Sequence, residues 1–366
     1  MASTGTHDLQ DLLNYDKVTA EQYGYDNLNE VIGRELSAVN AATTAALALF
    51  AADTTERQEG APTGGNPRMV RIDPDYARSR TQRGMSAGKR GYPLHALEYA
   101  AGFTAMYLRQ ASVAEIARTT LNARLAYVGA LRDGVMRAFF TPTNYTFQDY
   151  VTPDRMPVEV KALANGDGEV PPITAAGKRF TAGHNHYLAG PLTAENADRL
   201  VKEVAEHYEG NRIVVYVSAD DEAAWRGLSG FLPYLPASIV AGQIQAQAVG
   251  TLDITQTDDR PIGVLPNGAV VHTKPWVPHG YALAINVNAP KPLRRRLHKN
   301  PAMQGLFLNA ENIAAPLQAQ AFTAFFGFGA AERWAAAVHY FGPNHASGYR
   351  APEFSEWADD EGGDLA

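Results

Sequence analysis

The sequence predicts a mixed α+β fold, and three features of the chain support this prediction. Residues 112–140 repeat apolar side chains at the spacing of one long helix. Residues 192–226 alternate between helical and strand patterns, and residues 262–287 place turn signals between short apolar runs. With 32 glycines and 22 prolines among 366 residues, an all-helical or coiled-coil protein is not expected. At about 150 residues per domain, the chain should form roughly two domains.

Composition limits the classes of function. The formal net charge is -7, whereas a dedicated nucleic-acid-binding domain usually carries a basic face. The chain has no cysteine, which excludes disulfides, thiol nucleophiles and cysteine-ligated zinc. The first residues, MASTGTHDLQDLLNYDK, lack the basic and apolar segments of a signal peptide. No apolar run approaches the roughly 20 residues of a membrane span. We therefore expect a soluble protein, made in a cytoplasm, without a membrane partner.

Residues 26–52 are predicted to form the first long helix. Asn27 and Glu30 have the spacing of a capping box. The apolar positions with helical spacing are Leu28, Val31, Ile32, Leu36, Val39 and Ala42. Such a helix either packs within its own domain or forms an arm on a neighbouring subunit, and the pattern alone favours the first arrangement.

Residues 53–92 contain few apolar side chains and many glycines and prolines. A loop of this length is usually functional or disordered, and short extended pieces such as MVRI suggest a protruding two-stranded hairpin. The cations of its residues 60–92, called the loop cations below, are Arg68, Arg71, Arg78, Arg80, Arg83, Lys89 and Arg90. Their charge would suit a nucleic-acid-binding arm, but Tyr76 is the only aromatic residue among them, which weakens that interpretation. A solvated flexible loop is the alternative.

The strongest helix signal lies between residues 112 and 140. Ser112 and Glu115 match the S-x-x-E capping box, and Thr141-Pro142 should end the helix. Its predicted buried face consists of Val113, Ile116, Thr120, Leu121, Leu125, Val128, Leu131, Val135 and Phe139. At 1.5 Å per residue the helix would be on the order of 40 Å long, so it can act as a spine along which other elements pack.

A helix–strand–helix unit is predicted after Pro191. Thr193 should cap the first helix, Ile213–Val217 reads as a buried strand, and Ser218 opens a helix whose first turn is acidic. The acids at 220–222 are therefore better explained as a helix start than as an acid/base pair. No glycine-rich fingerprint follows the strand, so nucleotide binding is not expected there.

The last third of the chain alternates turns and strands. Pro266-Asn267-Gly268 predicts a β-hairpin, and the turn Pro278-His279-Gly280 precedes the strand YALAINV. The stretch LRRRLHK at 293–299 is basic but short. Residues 317–341 stay ambiguous, because their alanines favour a helix while two glycines interrupt it. The tail, FSEWADDEGGDLA, is acidic and should fray.

Residues 184–186 spell HNH, the name of a family of metal-dependent nucleases, which makes such a nuclease an alternative function. Its histidines and carboxylates would hold a metal ion and activate water. In an extended segment, however, His184 and His186 would face opposite sides, and no carboxylate lies between residues 178 and 191. His207 is the nearest candidate for a third ligand, but it lies near the end of a helix whose face is set by Val204. We therefore expect a turn here, with no metal, no cofactor and no catalytic residue, and no other hydrolase or nucleotide motif is present.

The order of these parts resembles the major capsid protein of tailed bacteriophages, which has the Hong Kong 97-type fold. In that family an N-terminal arm precedes an extended loop (the E-loop), a P-domain with a spine helix, and an A-domain. The passage from Pro278 to Leu283 is similar to the family's P-x-G-Y strand. The passage from Gly327 to Arg333 resembles its G-x-G-x-x-x-R closing strand, which implies a strand rather than a helix at 331–341.

The resemblance implies a division of the chain into six parts. These are an N-terminal arm at 1–54, the E-loop at 55–93, the P-domain at 94–191 with its spine at 112–140, the A-domain at 192–290, a return to the A- and P-domains at 291–345, and a C-terminal tail at 346–366.

The resemblance also implies a structural protein rather than an enzyme. The chain would be a head subunit that self-assembles through pentamers and hexamers into an icosahedral shell around phage double-stranded DNA. It would be made in the host bacterial cytoplasm and reside in the virion, with scaffold, portal and decoration proteins as further partners and no sequence-specific contact to DNA. The loop cations would contact neighbouring subunits. Lys89, the only lysine of the loop, is the candidate for the covalent cross-link to a neighbour's asparagine that some members form. An encapsulin nanocompartment shell is the alternative with the same fold.

Overall fold

The structure is a computed structural model that describes residues 8–60, 69, 88–163, 167–172, 174, 177–180, 182–234, 260–310 and 319–354. The α-helices within these ranges are α1 (Leu9–Leu12), α2 (Ala20–Tyr23), α3 (Tyr25–Leu47), α4 (Ala105–Gln110), α5 (Val113–Phe140), α6 (Ala194–Ala205) and α7 (Glu222–Arg226). The strands are β1 (Ala51–Thr54), β2 (Gln58–Gly60), β3 (Lys89–Gly91), β4 (His95–Ala100), β5 (Tyr145–Gln148), β6 (Pro157–Val160), β7 (Tyr187–Ala189), β8 (Ile213–Val217), β9 (Leu232–Pro233), β10 (Pro261–Val264), β11 (Val270–Thr273), β12 (Tyr281–Asn286), β13 (Leu293–Leu297), β14 (Leu306–Ala310), β15 (Ala319–Ala330) and β16 (Ala336–Tyr340). Short 3₁₀ helices cover Ala219–Asp221, Pro301–Met303, Arg333–Ala335 and His345–Ser347.

Two large sheets organise these elements. The larger has seven strands in the order β7-β16-β12-β8-β11-β10-β9. The smaller has five, in the order β1-β13-β15-β14 with β4 also paired to β15. Two further pairs, β2 with β3 and β5 with β6, are antiparallel. Mixed parallel and antiparallel pairing together with the long helix confirms the predicted α+β class.

Both faces of the seven-stranded sheet are covered. All five residues of β8 and all six of β12 are buried, as expected for strands enclosed on two sides. Val215 and Val217 face the apolar side of α6, while Val214 and Tyr216 belong to the cluster that contains Phe50. One continuous core therefore joins the larger sheet to the long helices.

The first long helix packs inside its own chain, as the pattern favoured. All its predicted apolar positions except Ala42 are buried. The predicted capping box is wrong: α3 starts after Gly24, whose φ is 96°, and the Asn27 side chain donates to the carbonyl oxygen of Tyr23. The predicted helical end at residue 52 is also wrong, because β1 pairs in parallel with β13.

The spine helix is confirmed. α5 has 28 residues, which at 1.5 Å per residue makes it about 42 Å long. The Ser112 side chain caps it by accepting from the backbone N–H of Glu115. Gly134 allows close packing against the smaller sheet, because a Cβ at this position would lie only 2.9 Å from the Phe328 ring. The last third of the helix therefore packs closely against β15.

One residue was placed on the wrong face of the spine helix. Leu125 is 64% exposed, whereas Tyr127 and Leu131 are 6% and 2% exposed. Leu121 and Val128 are only half-buried. Helical spacing alone could not show which part of a broad apolar face meets the core.

Within residues 317–341 the structure describes two strands, β15 and β16, as the resemblance implied and alanine propensity did not; of the strand predicted at 331–341, Arg333–Ala335 instead form a 3₁₀ helix and the strand begins at Ala336. β15 pairs with β4, β13 and β14, and β16 pairs with β12 and β7. Tertiary pairing on both edges outweighs the intrinsic preference of alanine for helix.

The turn predictions near the hairpins are confirmed. Gly268 has a φ of 87° between β10 and β11, and Gly280 has a φ of 82° directly before β12. Both are conformations that favour glycine. Among the described residues, no helix combines the length and the apolar character needed to cross a membrane.

Side-chain truncations on the spine helix should distinguish its buried face from its exposed face. We expect Leu131→Ala to lower the free energy of unfolding by about 2–5 kcal/mol, because it leaves a cavity against the core. Leu125→Ala is the matched control and should change it by no more than about 0.5 kcal/mol. Urea denaturation of the unassembled subunit measures both, and equal losses would contradict this assignment of faces.

A second prediction concerns His339 in β16, which is fully buried. Its Nε2 lies 3.0 Å from the carbonyl oxygen of Gly190 and donates to it. Burial, with smaller contributions from His345 and Arg199, lowers the pKa of His339 from an ordinary value of 6.5 to about 4, against the opposing effect of the hydrogen bond to Gly190. Between these values the unfolded chain takes up a proton that the folded chain does not, so stability should fall as the pH falls from 6.5 towards 4.

The contribution of one such histidine is at most about 1.4 kcal/mol per pH unit. His339→Gln keeps a side-chain donor for Gly190 and should flatten the dependence of unfolding free energy on pH by up to that amount. The measurement is urea denaturation at several pH values in this window. An unchanged slope in the variant would show that His339 is not the group responsible.

Candidate functional site

The two ends of the predicted E-loop meet at a common base. β2 and β3 pair in antiparallel register, with Glu59 opposite Arg90 and Gly60 opposite Lys89. Of the loop cations, Arg68, Arg71, Arg78, Arg80 and Arg83 lie outside the described residues. The described part of the predicted hairpin is thus its base, and the loop leaves the body and returns to it at one place.

Lys89 and Arg90 have opposite environments. Lys89 is exposed, whereas Arg90 is 2% exposed and donates to Glu169 at 2.6 Å. The Arg90 guanidinium also lies 5.1 Å from the ring centre of Trp334, a cation–π distance. Contrary to the sequence-based prediction, Arg90 is therefore not available to a neighbouring subunit, because its own chain encloses it.

Arg333 explains the arginine of the G-x-G-x-x-x-R motif. It is 3% exposed and donates to Asp167 at 2.6 Å and to Glu169 at 2.9 Å. Glu169 thus joins Arg90 of the loop base to Arg333 beside β16. A buried charge needs such partners, so this network fixes the loop base on the body.

The basic stretch in β13 carries a role that the sequence did not reveal. Arg294 donates to Glu59 in the loop base at 3.3 Å, and Arg295 donates to Asp53 in β1 at 2.7 Å. Arg296, on the same face as Arg294, donates to the fully buried Asp149 at 2.7 Å. The sequence signal that could have indicated these ion pairs is a run of three cations between two leucines, in a segment flanked by predicted strands.

The acidic residues at 220–222 are used in the fold. Asp221 is buried and accepts from the backbone N–H of Gly280 at 2.9 Å, and its other oxygen lies 2.7 Å from Nδ1 of His279. Burial raises the pKa of Asp221. Glu222 pairs with Arg226 and Arg260. Asp221 thus holds the helix start to the turn before β12, and Glu222 pairs within its helix and with the residue before β10, in agreement with the interpretation as a helix start.

The three histidines near the HNH letters converge, contrary to expectation. Nε2 of His207 lies 3.0 Å from Nε2 of His186 and 3.3 Å from Nε2 of His184. The rings of His184 and His186 are stacked, with centres 5.0 Å apart. The segment before β7 is irregular rather than extended, so the two side chains do not alternate in direction.

Carboxylates also reach this cluster, from α6 and its end rather than from residues 178–191. Nε2 of His184 lies 2.9 Å from Glu206 and 3.5 Å from Glu203, and Nε2 of His207 lies 3.5 Å from Glu206. Glu203, Glu206 and His207 are spaced i, i+3, i+4, which puts them on one helical face. That spacing is the sequence signal that could have found them.

Burial controls the charge of the cluster. His186 is 2% and His207 is 7% exposed. Burial, together with the neighbouring histidines, lowers the pKa of His186 to about 3 and that of His207 to about 2. Both rings are neutral near pH 7. Because they are enclosed by protein, they are closed to a nucleic-acid strand, which argues against hydrolysis of the HNH type.

Comparisons with known proteins bear on the fold. No protein-family model and no curated protein matches the sequence. A solved structure titled "Mycobacterium phage Patience" is similar to this chain with a TM-score of 0.62 and 18% identity, covering 96% of each chain. This likeness confirms the predicted Hong Kong 97-type fold.

Two further solved structures are similar at lower scores. The capsid of a native GTA particle has a TM-score of 0.45 and 14% identity, with 82% of this chain and 90% of that chain covered. The holo-SrpI encapsulin complex from Synechococcus elongatus has a TM-score of 0.42 and 11% identity, with 84% and 90% covered. Both TM-scores lie below 0.5, so only the first likeness bears on the fold.

Adjacent residues at the loop base provide a matched test of the ion network. Arg90→Met should lower the free energy of unfolding by on the order of 3 kcal/mol, because it breaks a buried ion pair. Lys89→Met removes the same charge from an exposed position and should change it by no more than about 0.5 kcal/mol. Both are measured by urea denaturation of unassembled subunits. A stable Arg90→Met variant would show that the loop base does not depend on this contact.

Proposed function

We propose that this protein is the major capsid subunit of a tailed bacteriophage, which assembles with copies of itself into a closed icosahedral shell around double-stranded DNA. The observation that carries the proposal is the fold shared over 96% of both chains with the Mycobacterium phage structure, at a TM-score of 0.62. A fold shared from end to end includes the loop base, the spine helix and both sheets.

The loop supports contacts between subunits. Its base is fixed to the body by Arg90 and by the Glu59–Arg294 ion pair. The residues between Gly60 and Lys89 contain few apolar side chains, so they can bury little apolar surface of their own. A neighbouring subunit offers carboxylates, because the chain has 39 acidic against 32 basic residues. We therefore retain the loop cations other than Arg90 as intersubunit contacts, with Lys89 as the cross-link candidate.

Closed symmetry explains how one chain can build a shell. Rings of identical subunits close through repeated heterologous contacts, so pentamers and hexamers need no second protein for their formation. The net charge of -7 means that the wall does not hold packaged DNA by a general attraction. Scaffold, portal and decoration proteins would be further partners, assembly would occur in the host bacterial cytoplasm, and the mature location would be the virion.

The proposed role is structural rather than enzymatic. The candidate acids at 220–222 and the histidines at 184 and 186 contact other residues of the fold, and two of the three clustered imidazoles are buried. These contacts support a structural role for side chains that could otherwise serve in acid/base chemistry.

The proposal is tested by electron cryomicroscopy of the purified full-length protein. We expect closed shells, or rings of five and six subunits that close into shells. Shells that package DNA in the producing cell support the phage capsid, and shells that enclose only protein cargo indicate the encapsulin alternative. A protein that stays a monomer or dimer under all assembly conditions contradicts both.

A loop variant gives this test a second arm. Arg80→Ala should leave the circular dichroism spectrum of the subunit unchanged while most of the protein elutes as free subunits or rings. Lys299→Ala, an exposed cation outside the loop, should assemble like the unmodified chain. If Arg80→Ala also assembles normally, Arg80 is not an intersubunit contact; if it unfolds the subunit, the loop belongs to the core.

A further inference from the structure

Four distances within the histidine cluster are close to those between ligand atoms in a metal coordination shell. In a tetrahedral zinc site with bonds of about 2.05 Å, neighbouring ligand atoms are about 3.3 Å apart. Here the Nε2 atom of His207 lies 3.0 Å from that of His186, 3.3 Å from that of His184 and 3.5 Å from Oε1 of Glu206. The Nε2 atom of His184 lies 2.9 Å from the same carboxylate oxygen. All three imidazole nitrogens lie within 4.8 Å of one another.

Protons alone do not satisfy these contacts. Nδ1 of His186 lies 2.9 Å from the carbonyl oxygen of Ala336 and must donate to it, so Nε2 of a neutral His186 carries a lone pair. A proton on Nε2 of His207 can serve this lone pair. The Nε2 proton of His184 is drawn to Glu206. The Nε2 atoms of His207 and His184, 3.3 Å apart, then both carry protons with no acceptor between them, whereas one cation at the centre would accept a lone pair from each atom.

We propose that His184, His186 and His207, each through Nε2, together with Oε1 of Glu206, bind one Zn²⁺ ion in a closed tetrahedral site. The proposal does not depend on the function proposed above. Three neutral imidazoles and one carboxylate are a donor set that suits zinc. Because four protein atoms fill the shell, the site would be structural, with no open position for a reactive water.

Surrounding contacts hold the ligands in place. Ala336 fixes the tautomer of His186, and Lys178 binds the second carboxylate oxygen of Glu206. The Phe180 ring is stacked on His207, with centres 4.7 Å apart. Such outer contacts orient metal ligands and typically set much of the affinity. They come from residues 178–180 and from β16, so the site is supported from two separate parts of the chain.

The site would join the two ends of the unit formed by β7 and α6. His184 and His186 lie just before β7, where the chain enters the seven-stranded sheet, and Glu206 and His207 directly follow α6, which covers one face of that sheet. A bound ion would tie the irregular entering segment to the end of α6. Metal binding of this kind adds to folding stability, because the unfolded chain has no preformed site.

The test is zinc binding by the full-length protein. Protein treated with EDTA and then dialysed should take up one zinc per chain in a competition titration with a chromophoric chelator, and its Tm should rise on binding. X-ray absorption should show Zn–N distances of about 2.0–2.1 Å with histidine scattering. No uptake at a 1:1 ratio, or uptake without histidine in the shell, would overturn the proposal.

Two ligand variants and one control locate the site. His184→Gln changes the partly exposed ligand, so the variant should fold, and His207→Gln changes the ligand at the centre of the contacts. Each should lower zinc affinity by about tenfold or more, and each should lose the zinc-dependent rise in Tm. His298→Gln lies outside the cluster and should bind zinc like the unmodified chain. If His184→Gln, folded by circular dichroism, binds zinc with unchanged affinity, the ion is held elsewhere and the proposal fails.

Discussion

The structure depends on the pairing of buried positive charge in β13. Arg295 and Arg296 are 3% and 2% exposed, and a buried guanidinium without a partner would destabilise the fold by several kcal/mol. Alternation along the strand sends the three side chains to different partners. Arg294 binds the loop base, Arg295 binds β1, and Arg296 binds Asp149 and the Tyr92 carbonyl oxygen. The N-terminal segment, the loop and the segment after the spine helix therefore meet at one strand.

A second network of ion pairs joins the loop base to the larger sheet. Glu169 binds both Arg90 of the loop base and Arg333, and Arg333 lies directly before β16 of the seven-stranded sheet. β16 in turn provides the Ala336 carbonyl oxygen that orients His186. Arg333 and Ala336, three residues apart in one segment, thus help to hold the loop base and the histidine cluster, respectively.

The helices and turns could be predicted from the sequence, because their signals are local. Ser112 caps α5, Thr193 caps α6, and Gly268 and Gly280 occupy the turns that their neighbours indicated. Each signal acts within about four residues, where backbone hydrogen bonds and permitted φ angles decide the outcome. The resemblance to the phage capsid family then supplied the order of the parts and the strand at the end of the chain, against the preference of alanine for helix.

The sequence by itself determined the α+β class, the spine helix and the position of a weakly apolar, positively charged loop. Only the tertiary structure decided which charges are buried, that Arg90 faces its own chain, that Leu125 faces away from the core, and that His184, His186 and His207 meet. These outcomes depend on contacts between residues far apart in the chain, such as Arg90 with Glu169 and His186 with Ala336. A periodic pattern shows to which face of its own helix or strand a side chain points. Which residue that side chain contacts depends on how the elements pack, and that information is not local.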